Sequence, residues 1–102
     1  MSATESEGVY ARLPNGEAFL VHAYLDANYA MAEIAECFKL GCLEEHAGGV
    51  MLTLTRKELR DLRNLADAYS FDYDAGFIEM CLDIHRASAE LPGESIGFFE
   101  GP

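Results

Sequence analysis

Apolar residues change their period several times along this 102-residue chain, and each change marks an element. Val9, Ala11 and Leu13 alternate with Tyr10 and Arg12. After Pro14-Asn15-Gly16, Phe19, Val21, Ala23 and Leu25 alternate with Leu20, His22 and Tyr24. Proline presets φ and glycine accepts positive φ, so the two runs, Val9–Leu13 and Ala18–Leu25, predict a β-hairpin. The period then becomes helical. Ala27, Ala30, Met31, Ile34 and Phe38 form one stripe, with Glu33, Glu36 and Lys39 outside it and Tyr29 and Leu40 on the outer side. Asp26 or Asn28 is placed to cap this helix, and Gly41 to end it.

Cys42–His46, Ala47-Gly48-Gly49 and Val50–Thr55 suggest a second hairpin. Val50, Leu52 and Leu54 share one face of the surer strand, whereas the first could equally be a loop. Thr55-Arg56-Lys57-Glu58 is a capping box, opening a helix to about Tyr69 with Leu59, Leu62, Leu65, Ala66 and Tyr69 inward. After a break at Ser70-Phe71, Asp72–Leu91 reads as a long helix, started by Asp72 or Asp74 and stopped by Pro92-Gly93. Glu79, Asp83, Arg86 and Glu90 lie on one narrow stripe. Tyr73, Phe77, Met80, Ile84 and Leu91 occupy one flank, Ile78, Leu82 and Ala89 the other, with Cys81 between. The apolar arc is about twice the ~100° of an ordinary surface helix, so this helix should be covered on two sides. Ser95–Phe99 is long enough for a last strand.

The order β-β-α-(β)-β-α-α-β predicts an α+β fold: a small antiparallel sheet built from hairpins, covered on one face by about three helices. Residues 1–8 read as a disordered acidic tail and 9–102 as a single domain. No apolar run has the ~20 residues of a membrane span, and the acidic start lacks the features of a signal peptide. Three cysteines do not close a disulfide framework. Together these imply a cytoplasmic protein.

Charge sharpens the expectation. Eighteen acids face seven bases, a net charge of −11. Such a surface repels nucleic acid and anionic membranes and attracts basic partners. Four of the bases, Arg56, Lys57, Arg60 and Arg63, fall within one helix, and Arg56, Arg60 and Arg63 share a face. Lys57–Asp61 and Arg63–Asp67 are spaced for ion pairing along that helix. Alternatively, the basic face docks an acidic one, including that of a second copy. Outside residues 55–67, acids outnumber bases fifteen to three. Aligned carboxylates on such a protein can occupy a groove built for phosphates. The expected partner-binding residues are therefore Glu33, Glu36, Glu44, Glu45, Glu79, Asp83 and Glu90, with Arg56, Arg60 and Arg63 as the basic counterpart.

Candidate chemistry adds little. Cys42/His46 and Cys81/His85 repeat the spacing Cys-x₃-His, and on a helix Cys81 and His85 would share a face suited to a zinc ion or a thiol–imidazole pair. Yet Cys81 falls mid-arc on a buried helix, where cysteine acts as a small hydrophobe. There is no nucleophile elbow, phosphate-binding glycine loop or His-Glu-x-x-His. Asp72-x-Asp74 starts like a calcium loop, but the remaining ligands do not follow.

The reading is thus a non-enzymatic binding protein or inhibitor without cofactor. It would act on a basic protein surface, such as that of a nucleic-acid-processing complex, without binding nucleic acid itself. A thiol- or metal-dependent enzyme or sensor using Cys81/His85 and a homo-oligomeric interaction module are the alternatives. In size and charge, though in no motif, the chain resembles phage-encoded inhibitors, including anti-CRISPR and DNA-mimic proteins, and toxin immunity proteins. That resemblance implies protein–protein contact and transfers no residue roles.

Overall fold

The computed structural model describes residues 7–23, 30–46 and 48–101. Eight elements follow in the expected order: β1 (Gly8–Arg12), β2 (Ala18–Ala23), α1 (Ala30–Phe38), β3 (Cys42–His46), β4 (Gly49–Thr55), α2 (Arg56–Ala68), α3 (Ala75–Ser88) and β5 (Ser95–Gly101). This is an α+β fold with one five-stranded antiparallel sheet and three helices. The segment Cys42–His46 is a true strand, paired with β4 from Cys42↔Thr53 to His46↔Gly49. Gly8, read as the end of the tail, instead opens β1 opposite Ala23 and Gly101. The proposed helix caps Asp26 and Asn28, along with Tyr24, Leu25, Ala27, Tyr29 and Ala47, lie outside the described residues, as does most of the predicted tail.

The strand order is β2-β1-β5-β4-β3, so the last strand forms the centre of the sheet. Its buried residues, Ile96 and Phe98, join Val9 and Ala11 of β1 and Leu52 and Leu54 of β4 beneath the helices. The alternate residues face away from the helices. One cross-strand row runs Leu20, Tyr10, Phe99, Met51, Glu44 across all five strands. Tyr10 and Phe99 stack there with centroids 5.9 Å apart. Met51 is only 7% exposed on this uncovered face because it lies over Gly97, where an added Cβ would sit 2.5 Å from its sulfur.

Local chemistry accounts for the helix ends. The Thr55 hydroxyl accepts from the Glu58 N–H at 3.1 Å, and the Glu58 carboxylate accepts from the Thr55 N–H at 3.0 Å. Both halves of the expected capping box are therefore present. Asp74 caps α3 by accepting from the Gly76 N–H at 2.9 Å. The break between α2 and α3 is longer than Ser70-Phe71, because Asp72 and Tyr73 belong to the turn.

Two side chains reverse their expected positions. Leu40 is 8% exposed: α1 stops at Phe38, Lys39 takes the left-handed conformation at φ 58°, and the turned chain carries Leu40 inward. Gly41 follows at φ 76°. Tyr69 is 45% exposed because it already ends α2, where it meets Phe38 and Tyr73 edge-on or tilted rather than entering the core. On α3, Ile78, Met80, Cys81 and Ile84 are buried, while Phe77 and Leu82 are half-buried against the core from opposite flanks.

Candidate functional site

The acidic residues reach the surface from three elements. Glu33 and Glu36 are exposed on α1, Glu44 and Glu45 on β3, and Glu79 on α3, with Glu90 just beyond its end. Strand alternation sends Glu44 to the uncovered face of the sheet and Glu45 to the opposite one. Charged residues on β3 also guard an edge strand against pairing with other chains. Burial, and after it the charge of Glu33 on α1, raises the Cys81 thiol on α3.

Asp83 does not belong to the bare stripe. Its Oδ2 lies 2.7 Å from His22 Nδ1 on β2, and its Oδ1 accepts from Arg86 at 2.5 Å. The His22 side chain is 10% exposed and that of Asp83 22%. The carboxylate thus ties an outer strand of the sheet to the long helix. No local pattern announces such a pair, since its members stand sixty-one residues apart.

Arg56 is likewise committed to the fold rather than to a basic docking face. Its Nε donates to Gly93 O at 2.8 Å, and its terminal nitrogens donate to Ser88 O at 2.6 Å and Leu91 O at 2.5 Å. The guanidinium caps carbonyls where α3 ends, adding to the Leu91 N–H that Ser88 O also accepts at 3.2 Å, and its positive charge suits that end of the helix dipole. Its own N–H donates to Glu94 O at 3.1 Å, so the first residue of α2 secures the link from α3 to β5. Lys57–Asp61 at 3.0 Å and Arg63–Asp67 at 3.6 Å are exposed pairs along α2, as their spacing predicts. Arg60 is exposed on the same helix.

Arg63 finds an unexpected neighbour in Arg86. With Asp67, Leu82, His85 and Ala89 they line a groove of about 430 Å³ between α2 and α3. Leu82 and Ala89 supply its apolar part, and each of the two guanidinium groups stands beside a carboxylate, Arg63 beside Asp67 and Arg86 beside Asp83. Burial, followed by the positive charge of Arg63, holds the His85 imidazole below its ordinary pKa, with Asp67 opposing.

The Cys-x₃-His pairs do not assemble comparable sites. Cys81 is fully buried, and desolvation pushes its thiol up to about 12, far from the thiolate a nucleophile requires. His85 opens instead onto the helical groove. Cys42 and His46 stand four residues apart along β3, a rise of ~13 Å. His46 packs on the Phe99 ring with centroids 4.6 Å apart. Among the described residues no group of three or more His, Cys, Asp or Glu side chains is arranged to hold a metal ion. Among them, too, no helix is long and apolar enough to cross a membrane.

No protein-family model, curated protein or solved structure matches the chain.

Proposed function

We propose that this is a non-enzymatic binding or inhibitor protein that covers a basic surface on another protein, specifically a surface that otherwise holds nucleic acid. The observation that carries this reading is the net charge of −11, with Glu33, Glu36, Glu44, Glu45, Glu79 and Glu90 all at the surface. Such a field accelerates encounter with a basic partner and disfavours nucleic acid and anionic lipid. It fits the mode of action of small phage-type anti-defence and immunity proteins, which act by occupation rather than by chemistry. Asp83 and Arg56 serve the fold, so the contact set is drawn from the exposed acids.

The test is binding to a panel of purified nucleic-acid-binding proteins, with duplex DNA as competitor. A partner held at low salt and released by added duplex supports the reading. Capture unaffected by duplex, or confined to proteins without a basic surface, overturns it.

A further inference from the structure

The helices lie on one face of the sheet, and an antiparallel sheet covered on one side normally presents polar side chains on the other. Here the row Leu20, Tyr10, Phe99, Met51, Glu44 on the uncovered face is apolar or aromatic at four of its five positions. Its apolar part is already ordered within one chain. Phe99 stacks on Tyr10 at 5.9 Å and meets the His46 ring at 4.6 Å, while Met51 lies over Gly97. Side chains held in this way lose little freedom on being covered. Two residues farther along each strand, the next row runs Ala18, Arg12, Gly97, Thr53, Cys42. The two rows hold one base, Arg12, and one acid, Glu44, in a chain of net charge −11. Both are exposed, and none of the ion pairs among the described residues uses either.

We infer that two copies of this chain pack sheet against sheet through this face, with Arg12 of each copy paired to Glu44 of the other. Arg12 on β1 and Glu44 on β3 stand three strand spacings apart, about 14 Å, on opposite sides of the line between β5 and β4. A two-fold axis along that line lays β1 of each copy over β3 of the other, and β5 over β4. Phe99 then meets Met51, and Arg12 comes within one row of Glu44, each contact occurring twice. Packed sheets stand about 10 Å apart, a gap that the long arginine and glutamate side chains span together. The contact is reciprocal, so it closes as a dimer instead of growing into a filament. Charge selects this face, because its two charges are balanced between copies. Pairing through the helical side would bring Glu33, Glu36, Glu79 and Glu90 of two copies together. Those acids point outward in the dimer, so it stands or falls separately from the proposed basic partner.

Sedimentation equilibrium of the full chain at about 0.15 M salt, where long-range repulsion between two acidic protomers is screened, decides it. Four overlapping strands make a small interface, so the expected result is a weak monomer–dimer equilibrium with Kd on the order of 100 µM. Arg12→Glu and Glu44→Arg each set two like-charge pairs in the interface and should weaken association by about tenfold or more. Both positions are exposed, and circular dichroism checks that the variants fold. Glu44→Arg is the sharper of the two, because it lowers the overall acidity and would strengthen association if general repulsion alone governed it. An equimolar mixture of the two variants should dimerise as well as wild type, since every charge at these positions then meets its opposite. The Arg12→Glu/Glu44→Arg double variant should self-associate likewise. A wild-type chain that stays monomeric at millimolar concentration overturns the proposal. So do single reversals that dimerise like wild type, or a mixture no stronger than its components.

Discussion

His22 Nδ1 and Asp83 Oδ2 meet at 2.7 Å, joining β2 to α3 in a partly buried contact that also receives Arg86. The pair changes what substitutions along the polar stripe of α3 should do. Asp83→Asn or His22→Ala should each destabilise the fold by about 1–3 kcal/mol, as expected when one member of a part-buried, charge-assisted hydrogen bond is lost. Glu79→Ala, on an exposed position of the same helix, should cost under ~0.5 kcal/mol. Denaturant melts of the single variants and the His22/Asp83 double variant check this. A coupling energy near zero would show that the contact contributes nothing.

Arg56 provides a second test of a side chain whose role depends on long-range closure. Arg56→Ala abandons the carbonyls of Ser88, Leu91 and Gly93, and should cost about 2–3 kcal/mol. Arg56→Lys should recover only part of this, because one ammonium cannot reproduce the planar fork that reaches three oxygens. Hydrogen exchange should report the loss first at the α3–β5 connection. Equal stability of the lysine variant and wild type would contradict this role.

These two residues show where sequence reading stops. The Thr55/Glu58 capping box, the alternation of Val50–Thr55 and the Pro-Asn-Gly turn are local, and each is legible because its partners lie within a few residues. Leu40 turns inward against the helical period because one left-handed residue, Lys39, breaks that period. The central position of β5 was illegible for another reason: pairing with both β1 and β4 joins distant segments, and a short apolar run is compatible with several neighbours. The same distance hides His22–Asp83 and the convergence of Arg63 and Arg86. The exposed acids could be read from helical period and strand alternation, whereas the loss of Asp83 and Arg56 from the candidate set required tertiary contacts.

The cysteines should separate cleanly by reactivity. Cys37 and Cys42 are exposed and should react with a thiol reagent in the folded protein. Cys81, buried and raised to about 12, should react only on unfolding. Timed labelling followed by peptide mass analysis reads this directly. Rapid modification of Cys81 at neutral pH would show that α3 is not held against the core as described.

Glu58 links stability to pH. Hydrogen bonds from the Thr55 and Gly41 N–H groups hold its carboxyl below the ordinary glutamate pKa. A depressed folded-state pKa means that its stabilisation is fully present above the unfolded value and is lost as pH falls through the folded one. Glu58→Gln should therefore flatten part of the acid limb of a stability–pH curve while changing little of its slope above neutrality. Parallel limbs for the two proteins would contradict this assignment.

The central claim is that exposed carboxylates on this chain hold a basic partner. Its most direct test is the salt dependence of affinity, by calorimetry, for a purified partner whose binding is competed by duplex DNA. The comparison is between wild type and the Glu33→Gln/Glu36→Gln/Glu79→Gln/Glu90→Gln variant. All four positions are exposed, so a thermal melt should show the fold intact. The account predicts wild-type affinity that falls steadily as salt rises, with the variant at least about tenfold weaker at low salt and less sensitive to salt. Equal affinities for the two proteins, unchanged across the salt series, would contradict it.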